Sequence, residues 1–454
     1  MASTYLTRTP SSGSTTTVTY SCWYKRNKIA HLDDLFSAGD TTPYENCRIC
    51  QVDSSNIIRI GFYATGGTFS FQVDTNRLIR DTSAWYHIVV AIDTTQATAS
   101  DRVKLWVNGV QETSFATANY PAQNFNLKIN NPSYPQYIGN LGGRSLFAEQ
   151  SLAHVHYIDG TAYDASYFGE TDATTGIWKP KTAPSVTYGT NGFFLKFENS
   201  GSMGTDSSGN GNNFTVSGNL TQTVDSPSNV FCTMSPIIKT NSSGTVYTNG
   251  NTSISGSSGS WQASYGSIGA TKGKWYYEAK VTTFTDLNGS TPRIGWGALD
   301  NINANDSGVY YYGINWEDNG ALKGGQSGSG YSPDLTGYTT YAQGDILGCA
   351  IDLDNDTITY YKNGTVTTIN ALDYSSYTTN VRSSQGFFVA PQFVFYDGTG
   401  SDIKIDFNFG NGYFGTTAVS SATSDESGLG IFEYTVPSGY YALCTKNINE
   451  QEYV

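Results

Sequence analysis

Apolar and polar positions alternate with a period of two along most of the chain, and no segment of helical length carries a convincing 3.6-residue stripe. His87 to Ile92 is an almost unbroken β-branched run, and Val103 to Val107 alternates Val, Leu and Val with Lys and Trp, so both predict strands. The polar stretch Thr94 to Asp101 separates them, which predicts an antiparallel return. Asn108-Gly109 follows, and Asn-Gly readily takes the positive φ angles of a tight hairpin. Asp345 to Gly364 repeats the device as strand, acidic turn at Asp354 to Asp356, strand and Asn363-Gly364. Two widely separated hairpins of one design predict two β-sandwiches in series. Further strands are expected at Val18 to Lys25, Ile57 to Tyr63, Thr68 to Val73, Gln136 to Gly139, Leu152 to Ile158 and Phe193 to Phe197. Asp164 to Phe168 reads as a short helix.

Composition agrees with an all-β chain. Only 14% of the 454 residues are charged, while 33 Tyr, 22 Phe and 49 Gly favour strands and turns over helices. The length suits two or three domains rather than one core. A net charge of -13 opposes binding to nucleic acid, and no basic patch stands out. The longest apolar run falls far short of the roughly 20 residues that span a bilayer, so no membrane insertion is expected. The opening MASTYLTRTPSSGSTTTVTYSCW lacks the positive end and apolar core of a secretory signal, although the Thr-, Ser-, Gly- and Asn-rich composition is that of an exposed surface protein. A virion protein, made in a host cytoplasm and exposed after lysis, reconciles the two; a sequence trimmed of its signal is the alternative.

Cys47 and Cys50 form a lone C-x-x-C with no second pair, and His31, His87, His154 and His156 show no ligand spacing. The six cysteines are therefore read as free, mostly buried thiols, with a Cys47 to Cys50 disulfide as the rival.

Residues 1 to 200 resemble the laminin-G-like, concanavalin A-like sandwich family. SCWYKR (Ser21 to Arg26), the WYHIVV…VKLWVNG hairpin and LAHVHYIDG (Leu152 to Gly160) carry the resemblance. Together with FGETDATTGIWKP (Phe168 to Pro180) they are similar to structural proteins of marine and cyanobacterial bacteriophages. Residues 201 to 260 read as a Gly/Ser/Asn-rich connector. Its first part surrounds Asp206, the one candidate metal ligand, with the flexible oxygen-rich loop that calcium requires, although a turn-rich connector explains the same composition. No other cofactor is expected.

Residues 261 to 415 resemble the SPRY family in five ordered blocks: GKWYYEAKV, RIGWGALD, YYYGINWEDNGAL, GDILGCAIDLDNDTITYYKNG and FVAPQFVFYDG. Such domains bind proteins or peptides through loops at one end, which the resemblance implies here. The Asp352, Asp354, Asp356 spacing begins like an EF-hand, but Thr357 and Asn363 stand where glycine and a bidentate Glu are needed, so a hairpin turn is favoured. Residues 416 to 454 carry GIFEYTVPSGYYALCTKNI, similar to a C-terminal segment of the same phage proteins. They read as strands Ile431 to Val436 and Tyr441 to Thr445, docking on a domain, followed by an exposed end.

These readings converge on two antiparallel β-sandwiches in tandem, a concanavalin A-like jelly roll and then a SPRY-like sandwich. The expected role is non-enzymatic: a tail-fibre or receptor-binding component of the virion surface, touching other virion proteins and a host glycan or protein. Capsid decoration or a head fibre is one alternative, and a polysaccharide depolymerase another. Against catalysis, the E-x-D-x-x-E strand of one hydrolase family is missing, Glu278 is the sole acid of its strand, and Glu317-Asp318 is read as a loop. Trp316, Asp318 and Tyr331, placed on loops of the second domain, are the candidate ligand-binding residues, because sugar faces stack on aromatics while carboxylates bind hydroxyls. Fibre analogy adds a homo-oligomer, with a trimer as the expected form.

Overall fold

The computed structural model describes residues 4–41, 44–240, 244–256, 261–285, 291–299, 313–324, 335–374, 388–396 and 403–452. The chain is nearly all β and divides into two compact units, residues 1–222 and 223–454. Among the described residues no helix is long and apolar enough to cross a membrane.

The first unit packs an eight-stranded sheet against a six-stranded one. Thr17–Arg26 and Trp85–Asp93 lie at the heart of the smaller sheet, paired antiparallel from Thr17 opposite Asp93 to Lys25 opposite Trp85. Alternation decides what each side chain meets. Val18, Tyr20, Cys22 and Tyr24 enter the core with Ile88, Val90 and Ile92, and the larger sheet supplies Leu35, Ile49, Ile60, Phe71 and Val73. Tyr20 donates its hydroxyl to the Leu35 carbonyl across the interior, 2.9 Å away. At the expected turn Asn108 and Gly109 have φ of 49° and 80°, and Asn363 and Gly364 have 49° and 77°. In each hairpin the Asn side chain also accepts the amide of the strand it returns to, His87 in one and Ile346 in the other.

Two elements depart from the sequence reading. Asp33–Thr41 and Tyr44–Val52 form a long hairpin in the larger sheet. Neither alternates cleanly, because the polar side chains Asp34, Ser37, Asn46 and Gln51 are buried as well as the apolar ones, Ser37 and Asn46 against the loop that carries Asn140 and Gly142. The stretch 201–222 is not a connector either: Thr215–Ser217 extends the larger sheet beside Tyr5–Arg8, and Phe214 joins the core. The six cysteines are free and buried.

In the second unit, Lys274–Phe284 is the central strand of a nine-stranded sheet, facing a six-stranded sheet built on Val389–Tyr396 and Thr291–Ala298. Trp275, Tyr277, Trp296, Trp316, Phe393 and Phe407 fill the space between. Residues 223–256 belong to this unit through Met234–Thr240, Val246–Thr248 and Ser253–Ser255. The acidic hairpin is a turn: Asp352 accepts the amides of Asp354 and Asn355 and pairs with Lys274 at 2.9 Å.

The C-terminal segment differs from its expected form. Of the two expected strands only Ile431–Phe432 and Tyr441–Ala442 are extended, the short strands Thr417–Ala418 and Thr423–Ser424 are added before them, and the end is the one α-helix among the described residues, Thr445–Glu452, with Asn449 and Glu450 exposed. The strand Ile403–Asn408 stops pairing with the central strand at Glu278, leaving Trp275 and Tyr276 open on that side. Tyr441 and Ala442 fill the gap as a parallel partner. Glu278, wholly buried, then accepts the backbone amides of Glu433 and Tyr434, both at 2.9 Å, together with the Asn408 amide.

Candidate binding surfaces

The structure moves Trp316 off the surface. It sits on the strand Gly313–Glu317, where Ile314 and Trp316 point inward and Glu317 faces outward, and it is fully buried. Its indole donates to the Thr339 carbonyl at 2.8 Å and meets Tyr341 edge-on at 4.9 Å. The expectation of a loop aromatic offered to a ligand is thereby corrected, since both its polar atom and its faces are taken up by the core. Asp318 is half-buried in the turn that follows, its carbonyl accepting the Tyr341 amide. Tyr331 lies outside the described residues.

Asp206 closes a turn. Its Oδ1 accepts the amides of Phe194 and Ser208, and its Oδ2 accepts the Ser208 hydroxyl and the Asn212 amide, all between 2.8 and 2.9 Å. Four donors from the chain already occupy the carboxylate, which is the geometry of a capped loop. Asp206→Ala is expected to cost about 2–4 kcal/mol in urea unfolding of the first unit, equally with and without calcium, because several hydrogen bonds to a charged acceptor go together.

Beside Asp318 the sheet carries a shelf that sequence reading missed. Arg293 and Glu317 lie directly opposite on neighbouring strands and form a 2.5 Å ion pair, with both side chains at least 90% buried. The Arg293 guanidinium sits 4.1 Å above the centre of the Trp261 ring, and Trp261 in turn lies 5.6 Å from Tyr396. Asn319, exposed on the turn, donates to the other Glu317 oxygen at 2.6 Å. The result is a row of aromatic, cation, carboxylate and amide, in which the two rings remain half-buried. An arginine so held loses little further entropy when a polar partner arrives, and stacked charge on indole is worth about 0.5–2 kcal/mol. Arg293 and Tyr396 lie on two paired strands and Trp261 immediately precedes a third, Gln262–Gly266, so only the pairing of these strands could have joined them.

One arrangement in the first unit looks catalytic and is not. Ser21 Oγ lies 3.0 Å from His87 Nε2, and Trp178 donates its indole N–H to His87 Nδ1 at 2.9 Å. Indole can only donate, so the neutral imidazole carries its proton on Nε2 and donates to the serine. A serine nucleophile needs the opposite polarity, with Nε2 free to take the hydroxyl proton and an acceptor at Nδ1. Burial also pushes the His87 pKa down to about 3. Residues 165–178 roof this face with Phe168 and Trp178.

Comparison with known proteins agrees with both units. Residues 2–148 match the Laminin_G_3 model of the concanavalin A-like lectin/glucanases superfamily, and residues 274–411 match the SPRY domain model. The chain therefore carries a concanavalin A-like domain and a SPRY domain in tandem. Among solved structures it is similar to the SPRY domain of human HERC1, at 20% identity over 38% of this chain and 96% of that one, with a TM-score of 0.28. It is also similar to the native heptameric SAP-like pentraxin of Limulus polyphemus (12% identity, 36% and 72% of the two chains, TM-score 0.26). Mouse laminin alpha1 domains LG4-5 align over 91% of this chain and 90% of that one, at 10% identity and a TM-score of 0.27. No curated protein matches the sequence.

Proposed function

We propose that the chain is a non-enzymatic attachment protein of a bacteriophage virion, holding a host-surface glycan on sandwich faces. What supports a binding role is the pairing of a lectin-like domain with a SPRY domain, together with the Trp261, Arg293, Glu317 and Asn319 shelf beside Asp318. Half-buried rings take the apolar face of a sugar, while the carboxylate and amide accept and donate to its hydroxyls. Two of the acids weighed for hydrolysis are held by other groups: Glu317 is paired with Arg293, and Glu278 accepts backbone amides. The phage origin is supported by the motif resemblance alone.

The test is a glycan array probed with the full chain and with Trp261→Ala and Asn319→Ala. The intact protein is expected to bind at least one glycan, and Trp261→Ala to weaken it about tenfold or more, the loss that follows from removing about 1.4 kcal/mol of stacking. Silence of the intact protein across the array, or release of reducing ends from a bound polysaccharide, would defeat the reading.

A further inference from the structure

The outer face of the smaller sheet in the first unit is crossed by a strap, residues 163–188, with little regular structure of its own. It contains one 3-10 turn, Ala165–Tyr167, and the short hairpin of Gly169–Thr171 with Trp178–Pro180. Ala165 and Phe168 pack on Val89 and Ile158 of the sheet, while much of the segment is exposed. Segments with few buried side chains and exposed backbone hydrogen bonds open at a lower free energy than the domain around them.

Two histidines of the sheet bear on this strap. Trp178 donates its indole N–H to His87 Nδ1 at 2.9 Å, and its ring lies against Gly109 and Gly169, where any Cβ would collide with it. The Tyr188 hydroxyl is 2.9 Å from His156 Nδ1, and the His156 ring also touches Phe168 of the strap. Both contacts suit a neutral imidazole. A protonated His87 turns an N–H towards the indole N–H, so two donors face each other. In His156 one nitrogen meets Tyr188 and Nε2 has no partner among the described residues, so a charge there lacks an acceptor. Burial holds His87 down at about 3 and His156 well below its usual value, and His154 adds to both as a like charge. From the sheet His87 also meets Ser21 and Trp23, and His156 meets Phe194, all uncharged. The charged groups around them are engaged elsewhere. Lys196 and Glu198, which face His154, pair with each other at 3.8 Å. Asp206 faces Tyr188 but is filled by four donors of its own loop and strand, and Asp159 accepts Ser14, Asn130 and Asn191. On the strap, Lys179 pairs with Asp172 at 2.9 Å and Glu170 at 3.8 Å, Asp164 caps Ser166, and Lys181 donates to the Ser166 carbonyl.

We propose that the strap is an acid-released latch, closed on the sheet by neutral His87 and His156 and freed when those rings take up protons. Opening brings water to both rings, and each then returns to about 6.5. The closed form is therefore fully favoured above that value and loses ground as pH falls towards the depressed values of the closed rings. Between pH 7 and 4.5 each ring multiplies the open population about 50- to 100-fold. Asp34 belongs to the other sheet and keeps its burial when the strap leaves, so the opposing effect of that raised carboxyl on unfolding of the whole unit is absent from strap opening. What opening uncovers is apolar: Val89 and Ile158, both fully buried beneath the strap. The inference stands apart from the glycan reading, and neither depends on the other.

The test is amide exchange of the full chain from pH 7 to 4.5, corrected for the intrinsic pH dependence of exchange. The hydrogen-bonded amides of Phe168, Asp172 and Lys181 report on the strap, and the Trp85–Asp93 strand reports on the whole unit. The strap is expected to lose at least a thousandfold in protection over this range, and the strand at least tenfold less. His87→Gln keeps an acceptor for the Trp178 indole but does not titrate, and should cut the loss in the strap to about a hundredfold or less. The histidine ring resonances of the unaltered chain give a second measurement that needs no variant: His87 and His156 should stay neutral while the strap amides remain protected, and charge as that protection falls. Strap and strand losing protection in parallel would mean unfolding of the whole unit and overturn the latch. So would strap protection that ignores pH, an undiminished loss in His87→Gln, or rings that charge near pH 6.5 under a closed strap.

Discussion

Deleting residues 416–454 is expected to unfold most of the second unit, although the SPRY match ends at residue 411. Three losses coincide. The Glu278 carboxylate keeps Asn408 and Tyr276 but loses the Glu433 and Tyr434 amides, and a buried charge stripped of partners costs about 3–5 kcal/mol. Phe432, Val436 and Ala442 leave the cluster they share with Phe231 and Tyr276, a cavity on the scale of an aromatic deletion at about 3–5 kcal/mol. Asp425 no longer gathers the amides of Leu429, Gly430 and Ala442, so the fold of the segment itself disappears. Against a typical domain stability of about 5–15 kcal/mol the sum is decisive.

Glu278→Gln tests the same contact without truncation. The expected result is a loss of about 2–4 kcal/mol and faster exchange of residues 431–436, because a neutral amide offers one acceptor to two backbone donors. Burial raises the Glu278 carboxyl to about 7 against the pull of those donors. A raised acid contributes stability that is full below its unfolded value and declines as pH climbs through about 7, so the second unit loses stability on the alkaline side as the buried charge forms. Glu278→Gln should flatten that dependence. Equal urea midpoints for the intact and truncated chains would show that the segment does not hold the unit together.

The second large effect is acid sensitivity in the first unit. His87 and His156 are buried as neutral rings, His87 held near 3 and His156 well below its usual value, both by loss of solvation and by the neighbouring His154. Ser21, Trp23 and Trp178 surround His87, while Tyr188, Phe168 and Phe194 surround His156, so no carboxylate neutralises either ring. A histidine with a depressed folded value binds protons better when unfolded. Its stability is therefore present above about 6.5 and lost as pH falls towards the folded value. At pH 4.5 His87 removes about 2–3 kcal/mol, and His156 acts in the same direction.

Asp34 acts in the opposite sense. Its raised carboxyl favours the folded state increasingly as pH drops from about 7 to 4, offsetting about 3 kcal/mol. The wild type should thus lose stability between pH 7 and 4.5, and Asp34→Asn about 3 kcal/mol more, read from exchange protection of the Trp85–Asp93 strand. A profile that is flat in both proteins would mean that the rings are hydrated.

Much of this architecture is local in origin and was legible before any coordinates. The two Asn-Gly turns, the strands at 85–93, 103–107 and 346–362, and the short turn capped by Asp164 follow from period-two patterning and turn chemistry within a few residues. The 33–52 hairpin was hidden because its polar side chains are buried as well as the apolar ones, which erased the alternation. Trp316 was misplaced for a related reason: NWEDNG reads as a loop, yet pairing with Thr291–Ala298 continues the strand through Glu317.

The sequence alone determined that the chain is all β, that it contains two sandwiches, and which hairpins turn on glycine. These depend on side-chain period and backbone φ, which neighbouring residues set by themselves. Only the tertiary structure decided that 201–222 completes the first unit, that the C-terminal segment fills the gap beside Trp275 and Tyr276, and that Trp261, Arg293 and Glu317 meet. Each of those depends on which strand lies beside which, and the register that brings distant residues face to face is fixed by burial summed over a whole sheet.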